Sequence, residues 1–177
     1  MLEMTIEAVR VSLMNYNRVV ILKEKESNRF LPIWIGAPEA DAIAIKQGGA
    51  PVARPMTHDL LTNIIQQLGS KIVRIVVNDI SKNTFFARVY LDLNGTEVEI
   101  DSRPSDAIAL AVRADVPIYC EEAVLDEAAV QMDDDGGLLE GATAGERPPA
   151  VREEELEGMS AFRDFIDSLD LDDFGDK

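Results

Sequence analysis

The order of extended and helical segments along the chain limits its possible folds more than any other feature. Segments of alternating or β-branched residues cover 5–13, 18–25 and 29–35. After two helical segments, further extended segments cover 72–78, 84–93 and 96–100. Asn94-Gly95 marks a hairpin turn between the last two. Two three-stranded meanders alternating with helices predict an α+β fold, with packed helices on a mostly antiparallel sheet.

Glycine and proline punctuate the predicted helices. The first helix covers 39–47 and stops at Gly48-Gly49. The second begins with Thr57 as N-cap and carries an apolar stripe of Leu60, Leu61, Ile64, Ile65 and Leu68. A proline-opened helix covers 104–113, a short apolar segment covers 117–120, and a last helix covers 121–131.

The segment Asp-Ala-Ile-Ala occurs twice, at 41–44 and at 106–109, 65 positions apart. Together with the matching order of strands and helices, it predicts an internal duplication of a three-strand, two-helix unit. The alternative is that small apolar helices reuse alanine and isoleucine because both suit a helix.

The composition changes near residue 132, which divides the chain into a folded domain at 1–132 and two further segments. Residues 133–150 predict a flexible acidic, glycine- and proline-rich linker. Residues 151–177 predict an acidic amphipathic C-terminal helix and tail. This helix would dock on its own domain or a sister subunit, or bind a protein partner.

Charge is distributed unevenly and does not exclude nucleic acid. Residues 1–120 hold 13 Lys/Arg against 14 Asp/Glu, whereas residues 121–177 hold 4 against 19. A nearly neutral domain can present a local basic patch to phosphate.

The longest stretch without a charged residue, Leu60 to Ser70, has 11 positions, against the roughly 20 of a membrane helix. Charges at the N-terminus and the single Cys120 favour a cytoplasmic protein without disulfides or membrane contact.

Several segments resemble the bifunctional nuclease domain family across roughly residues 1–132. They are Leu31-Pro-Ile-Trp-Ile-Gly36, Glu39-Ala40, Arg54-Pro-Met-Thr-His-Asp-Leu-Leu61, Asp101-Ser-Arg-Pro-Ser-Asp-Ala-Ile-Ala-Leu-Ala111 and Pro117-Ile-Tyr119. The family is named after plant members that degrade both DNA and RNA. The resemblance therefore implies a nuclease that hydrolyses phosphodiester bonds, with nucleic acid as its substrate.

Nuclease chemistry needs an activated water and positive charge on the transition state, commonly from divalent ions on carboxylates together with Arg or His. Oxygen ligands suit Mg²⁺ or Mn²⁺, and no organic cofactor is expected. The candidate metal ligands are Glu39, Asp41 and Asp101. The candidate catalytic residues are His58, Asp59 and Asp106. The candidate substrate-binding residues are Arg54, Arg103 and Ser105.

Each of these residues also has a structural interpretation. Acids in a first helical turn cap the helix or complement its dipole. His58 would hydrogen-bond at a helix start, and Arg103 would pair with Asp101 or Asp106. Trp34 and Cys120 are expected in the core.

The rival function is a non-catalytic binding or regulatory module for a small anion or a protein partner. Homo-oligomerisation is expected because strand-rich units leave edges to cover.

Overall fold

The computed structural model describes residues 1–11 and 18–131. Within them the strands are β1 (Leu2–Val11), β2 (Arg18–Glu24), β3 (Arg29–Ile35), β4 (Ser70–Ser81), β5 (Thr84–Leu93), β6 (Thr96–Ser102), β7 (Ile118–Cys120) and β8 (Val130–Gln131). The helices are α1 (Ala37–Gln47), α2 (Thr57–Gln67), α3 (Pro104–Ala114) and α4 (Glu122–Ala128). The linker predicted at 133–150 and the helix predicted at 151–177 lie outside the described residues.

The strands form one sheet in the order β6-β5-β4-β7-β1-β2-β3-β8. The meander β1–β3 forms one half of the sheet and the meander β4–β6 forms the other half. β7 lies between them, next to β4 and β1. β7 pairs in parallel with β4 and antiparallel with β1, while the other neighbouring strands are antiparallel. The α+β class and the mostly antiparallel sheet are therefore confirmed.

The predicted helix at 121–131 is too long. α4 ends at Ala128, Ala129 is extended, and residues 130–131 form β8 against β3. The hydrogen bonds that draw these residues into the sheet come from residues 29–30, about a hundred positions earlier in the chain. Pairing with a distant strand therefore ends the helix.

The two Asp-Ala-Ile-Ala segments stand in different helical turns. Asp106 is the third residue of α3, whereas Asp41 is the fifth residue of α1. Glu39, not Asp41, therefore occupies the α1 position that corresponds to Asp106. The internal duplication stays a prediction.

α3 is the central helix of the layer. Its residues 104, 105 and 107–111 are buried, and it packs against α1 and α2 and over β4 and β5. Three of these are alanines, whose small side chains let neighbouring elements approach closely. A helix covered on most sides belongs to the core, and its position brings the first turns of α1, α2 and α3 together.

α2 turns most of its apolar stripe away from the core, and Ile65 alone of the stripe packs against it. The helix buries His58 and Thr62, and the Thr62 hydroxyl donates to the His58 carbonyl oxygen at 2.8 Å. The exposed members of the stripe are Leu60 (55%), Leu61 (40%), Ile64 (45%) and Leu68 (74%). α2 therefore presents an apolar face, called the α2 face below, that no described residue covers.

The two residues predicted for the core differ in outcome. Cys120 is fully buried, and burial followed by the charge of Glu121 raises the pKa of its thiol to about 12, so the packing role is confirmed. Trp34 is 40% exposed, so its core assignment is wrong. It alternates with the buried Ile33 and therefore faces the other side of the sheet.

Candidate functional site

α1, α2 and α3 each carry an acid at the third helical position. These acids are Glu39, Asp59 and Asp106. A carboxylate at this position can reach back to the N-cap amide. Asp59 does so, because its Oδ2 accepts a hydrogen bond from the Met56 N–H at 2.8 Å. Met56 is thus the N-cap of α2, and the assignment of Thr57 as N-cap is wrong because Thr57 is already the first helical residue.

Glu39 and Asp106 both bond to the side chain of Arg103. Arg103 Nε donates to Asp106 Oδ2 at 2.6 Å, and Arg103 Nη2 donates to Glu39 Oε1 at 2.7 Å. The other Asp106 oxygen, Oδ1, lies 3.0 Å from His58 Nε2. These four residues, called the helix-start cluster below, link the first turns of three helices. Helix N-termini carry partial positive charge, so their convergence favours an anion at this place.

Burial within the cluster is graded. The Arg103 side chain is 66% exposed, whereas those of Asp106, Glu39 and His58 are 29%, 13% and 10% exposed. The guanidinium therefore lies at the surface, and the imidazole lies beneath it. A bound anion would meet Arg103 first.

The protonation of Asp106 determines the tautomer of His58. Burial raises the pKa of the Asp106 carboxyl, but hydrogen bonds from Arg103 and His58 outweigh burial, so the pKa lies below its usual range. The hydrogen bonds of Arg103 to Asp106 and to Glu39 raise the pKa of its guanidinium. An ionised Asp106 can only accept hydrogen bonds, so Nε2 of His58 must donate. In the neutral imidazole, Nδ1 is then an acceptor, and it has no hydrogen-bond partner among the described residues.

Gly36 makes room for one member of the cluster. It is the N-cap of α1, and a Cβ added there would collide with Glu39 Oε2. The missing side chain lets the Glu39 carboxylate fold back over the helix start, where its other oxygen accepts from Arg103. In the sequence, Gly36 is marked only as a glycine just before a proline-opened helix. The contact with Glu39 becomes visible only in the structure.

Asp59 belongs to a neighbouring ion pair. Its Oδ1 accepts from Arg113 Nε at 2.7 Å, and the Arg113 side chain is 4% exposed. Arg113 also donates to the carbonyl oxygens of Ala109 at 2.9 Å and Ala42 at 3.2 Å. Sequence reasoning missed Arg113 because an arginine in a last helical turn more often faces solvent.

The other predicted site residues have neighbours outside the helix-start cluster. Asp41 is exposed and faces Arg18 at 3.5 Å. Asp101 is exposed on β6, where it pairs in register with Arg88. Ser105 is buried, with 6% exposure. Arg54 lies between α1 and α2 and lines a surface pocket.

The described residues do not fit a preformed divalent-metal site. No group of three or more His, Cys, Asp or Glu within residues 1–11 and 18–131 is arranged to hold a metal ion. Glu39 and Asp41 both lie on α1 but face different arginines, Arg103 and Arg18, and Asp101 lies on β6. In the same part of the chain, no helix is long and apolar enough to span a membrane.

Fold and cluster together define a class: an α+β domain in which helix starts gather an imidazole, two carboxylates and an exposed guanidinium. The family model for the bifunctional nuclease domain matches residues 20–133. The chain belongs to the bifunctional nuclease domain family, which confirms the resemblance in the sequence.

Relatives fall into two groups. A Mycobacterium tuberculosis protein, named Uncharacterized protein Rv1829, is 40% identical over 172 residues, 97% of each chain. Bifunctional nuclease 2 of Arabidopsis thaliana is 26% identical over 126 residues, 70% of this chain and 38% of the plant protein. Bifunctional nuclease 1 of Oryza sativa subsp. japonica is 24% identical over 112 residues, 62% of this chain and 34% of the rice protein. The plant similarity is thus distant and covers about a third of those proteins.

Proposed function

We propose that this protein is a nuclease that hydrolyses phosphodiester bonds in DNA and RNA at the helix-start cluster. The observation that carries the proposal is the chain from His58 through Asp106 to the exposed Arg103. It combines an imidazole that can accept a proton, a carboxylate that orients it, and a cation that faces solvent. Membership of the family and the names of the plant relatives support it.

Arg103 would bind the scissile phosphate. Its fork can grip two phosphate oxygens, and in the free protein it is held by Glu39 and Asp106. A phosphate would compete with these carboxylates for the guanidinium donors.

His58 would accept the proton of the attacking water. Asp106 holds Nε2–H, so Nδ1 is the basic nitrogen. As the water oxygen forms its bond to phosphorus, its proton passes to Nδ1. The bond from phosphorus to the leaving oxygen breaks, and that oxygen takes a proton from solvent. General base catalysis of this kind contributes about 10²–10⁴-fold to a rate.

A requirement for Mg²⁺ or Mn²⁺ stays a proposal, and no step above is assigned to a metal. Glu39 and Asp106 are occupied by Arg103, so their oxygens would become available to a cation only after Arg103 turns to phosphate. Comparing activity in Mg²⁺, Mn²⁺ and EDTA tests this requirement directly.

The test is cleavage of labelled single- and double-stranded DNA and RNA by the full chain and by His58→Ala and Asp106→Asn. We expect each variant to lose about a hundredfold or more, the contribution of a positioned base. The control is Glu97→Gln, which removes a surface carboxylate that faces Arg74. Circular dichroism and unfolding midpoints verify that the variants fold. Unchanged cleavage by both variants would overturn the site.

A non-catalytic binding module is the second candidate. Two observations favour it. Arg103 Nε and Nη2 already donate to carboxylates, and the described residues include no preformed metal site. A folded wild-type protein that is inactive with every metal, yet binds an oligonucleotide or inorganic phosphate, would select this function. Protein partners through 151–177 and a cytoplasmic location remain part of either proposal.

A further inference from the structure

A second cationic feature lies beside the helix-start cluster. A pocket of about 400 Å³ opens between the end of α1, the following loop and the start of α2. Its charged lining residues are Lys46, Arg54, Asp59 and Arg113. The pocket is called the Lys46 pocket below.

The charges of the Lys46 pocket do not cancel. Asp59 and Arg113 neutralise each other through their buried pair. Lys46 and Arg54 have no ion-pair partner within 4 Å among the described residues; Lys46 only exerts a longer-range attraction on Asp59. Two positive charges thus remain in one concavity of a chain whose formal net charge is −16.

Carbonyl groups at the neighbouring end of α1 are largely satisfied by the following turn. The carbonyl oxygens of residues 44–46 accept hydrogen bonds from the amides of Gly48, Gly49 and Ala50. Apart from Asp59, no acidic side chain lines the pocket. An anion that enters would therefore meet Lys46 and Arg54 without a competing carboxylate, since both Asp59 oxygens are already bonded.

The distance from this pocket to the helix-start cluster suits a nucleic-acid strand. α3 carries Asp106 of the cluster and Arg113 of the pocket, seven residues apart, so a rise of 1.5 Å per residue separates them by about 10 Å. Successive phosphates advance about 3.4 Å along the axis of a duplex, and they lie farther apart than this in space. A strand that contacts Arg103 can therefore reach the pocket within a few nucleotides.

We propose that the Lys46 pocket binds a non-scissile phosphate of the same strand, a few nucleotides from the cleaved bond. This proposal rests on the proposed function for its catalytic end, but the pocket itself is defined by its own cations. Lys46 and Arg54 are positioning residues that favour polynucleotides over mononucleotides and small phosphodiesters. Phosphate contacts carry no base preference, so the same pocket suits DNA and RNA.

The experiment measures binding rather than cleavage. A fluorescein-labelled 12-nucleotide oligothymidylate in EDTA is titrated with the full chain, and anisotropy is followed at several salt concentrations. Each single-strand phosphate contact contributes about 0.7 to the slope of log affinity against log salt. Because the pocket binds one phosphate, we expect Lys46→Gln with Arg54→Gln to reduce the slope by about 0.7. The charge-matched control is Lys71→Gln with Lys82→Gln, two cations that do not line this pocket.

The outcomes separate this proposal from the proposed function. A reduced slope only in the Lys46/Arg54 variant supports the pocket, even if the wild-type protein cleaves nothing. Equal reductions in both double variants would indicate diffuse charge attraction and overturn it, as would a wild-type protein without measurable binding. In an active protein, we also expect the pocket variant to raise KM for the 12-nucleotide strand by more than the control does.

Discussion

Arg113 is expected to be the most important single ion-pair residue for stability among the described residues. Its side chain is 4% exposed and joins three helices: it pairs with Asp59 at the start of α2 and bonds the carbonyl oxygens of Ala42 in α1 and Ala109 in α3. Asp59 in turn caps α2 through the Met56 amide. Arg113→Met keeps most of the aliphatic stem but removes all three hydrogen bonds.

The size of the effect follows from what remains after the substitution. Removing one partner of a buried ion pair costs about 3–5 kcal/mol. The Asp59 side chain is 26% exposed and keeps the Met56 amide, so water and the cap replace part of the lost interaction. We therefore expect the lower end of that range, about 3 kcal/mol. For a domain of this size that corresponds to roughly 10 °C in Tm.

Urea unfolding followed by circular dichroism measures this difference. The control, Arg88→Met, removes a guanidinium that faces the exposed Glu99 on the surface, and we expect its midpoint to stay at the wild-type value. A double-mutant cycle with Asp59→Asn separates the ion pair from the carbonyl bonds. Equal midpoints for Arg113→Met and Arg88→Met would refute the reasoning, since the buried bridge would then contribute no more than a surface pair.

Two further predictions concern acid stability and assembly. Asp59 and Asp106 have pKa values below their ordinary 3.8 in the folded chain, because hydrogen bonds outweigh burial. The unfolded chain therefore binds more protons than the folded chain below about pH 4. The stabilisation that Asp59 and Asp106 contribute is complete above that pH and declines below it. A urea midpoint that does not fall between pH 5 and pH 3 would contradict this. The α2 face lies in the uncharged stretch 60–70, which a second copy can cover without desolvating a charge. We expect sedimentation velocity at micromolar concentration to show a homo-oligomer for the wild-type chain and a monomer for Leu61→Glu with Ile64→Glu, and a wild-type monomer would exclude this interface.

Local signals explain why most elements could be predicted. The Gly48-Gly49 pair ends α1, where Gly49 adopts a φ of 62°, Pro104 opens α3, and Asn94-Gly95 turns between β5 and β6, as expected. These residues act through their own backbone preferences, so no distant partner is needed. β8 was missed because its extended conformation depends on β3, far away in sequence.

Hydrophobic periodicity also has a limit that α2 illustrates. The stripe beginning at Leu60 correctly indicates a helix, but periodicity identifies the apolar face and not whether that face is covered. α2 instead packs through the side that carries His58 and Thr62. Trp34 shows the same limit in a strand, because alternation indicates two faces without naming the covered one.

The residue types of the candidate site could be predicted from the sequence, but only part of their spatial arrangement could. His58, Arg103, Asp106 and Glu39 were chosen for their side-chain types at helix starts, and the structure brings these four into one cluster. Their contacts join residues 48 and 64 positions apart, which no local pattern encodes. Whether they act on phosphodiesters stays a prediction for the cleavage assay.

The central position of β7 has a consequence for synthesis. β7 joins the two meanders by pairing residues 2–4 with 118–120 and residues 75–77 with the same three positions. Each meander can assemble from neighbouring hairpins as it leaves the ribosome, but β1 and β4 must wait with unpaired edges until residue 120 has emerged. Contacts across such a sequence separation form slowly, and open strand edges invite association with other chains. A three-residue strand thus sets the time during which the nascent protein keeps two open strand edges.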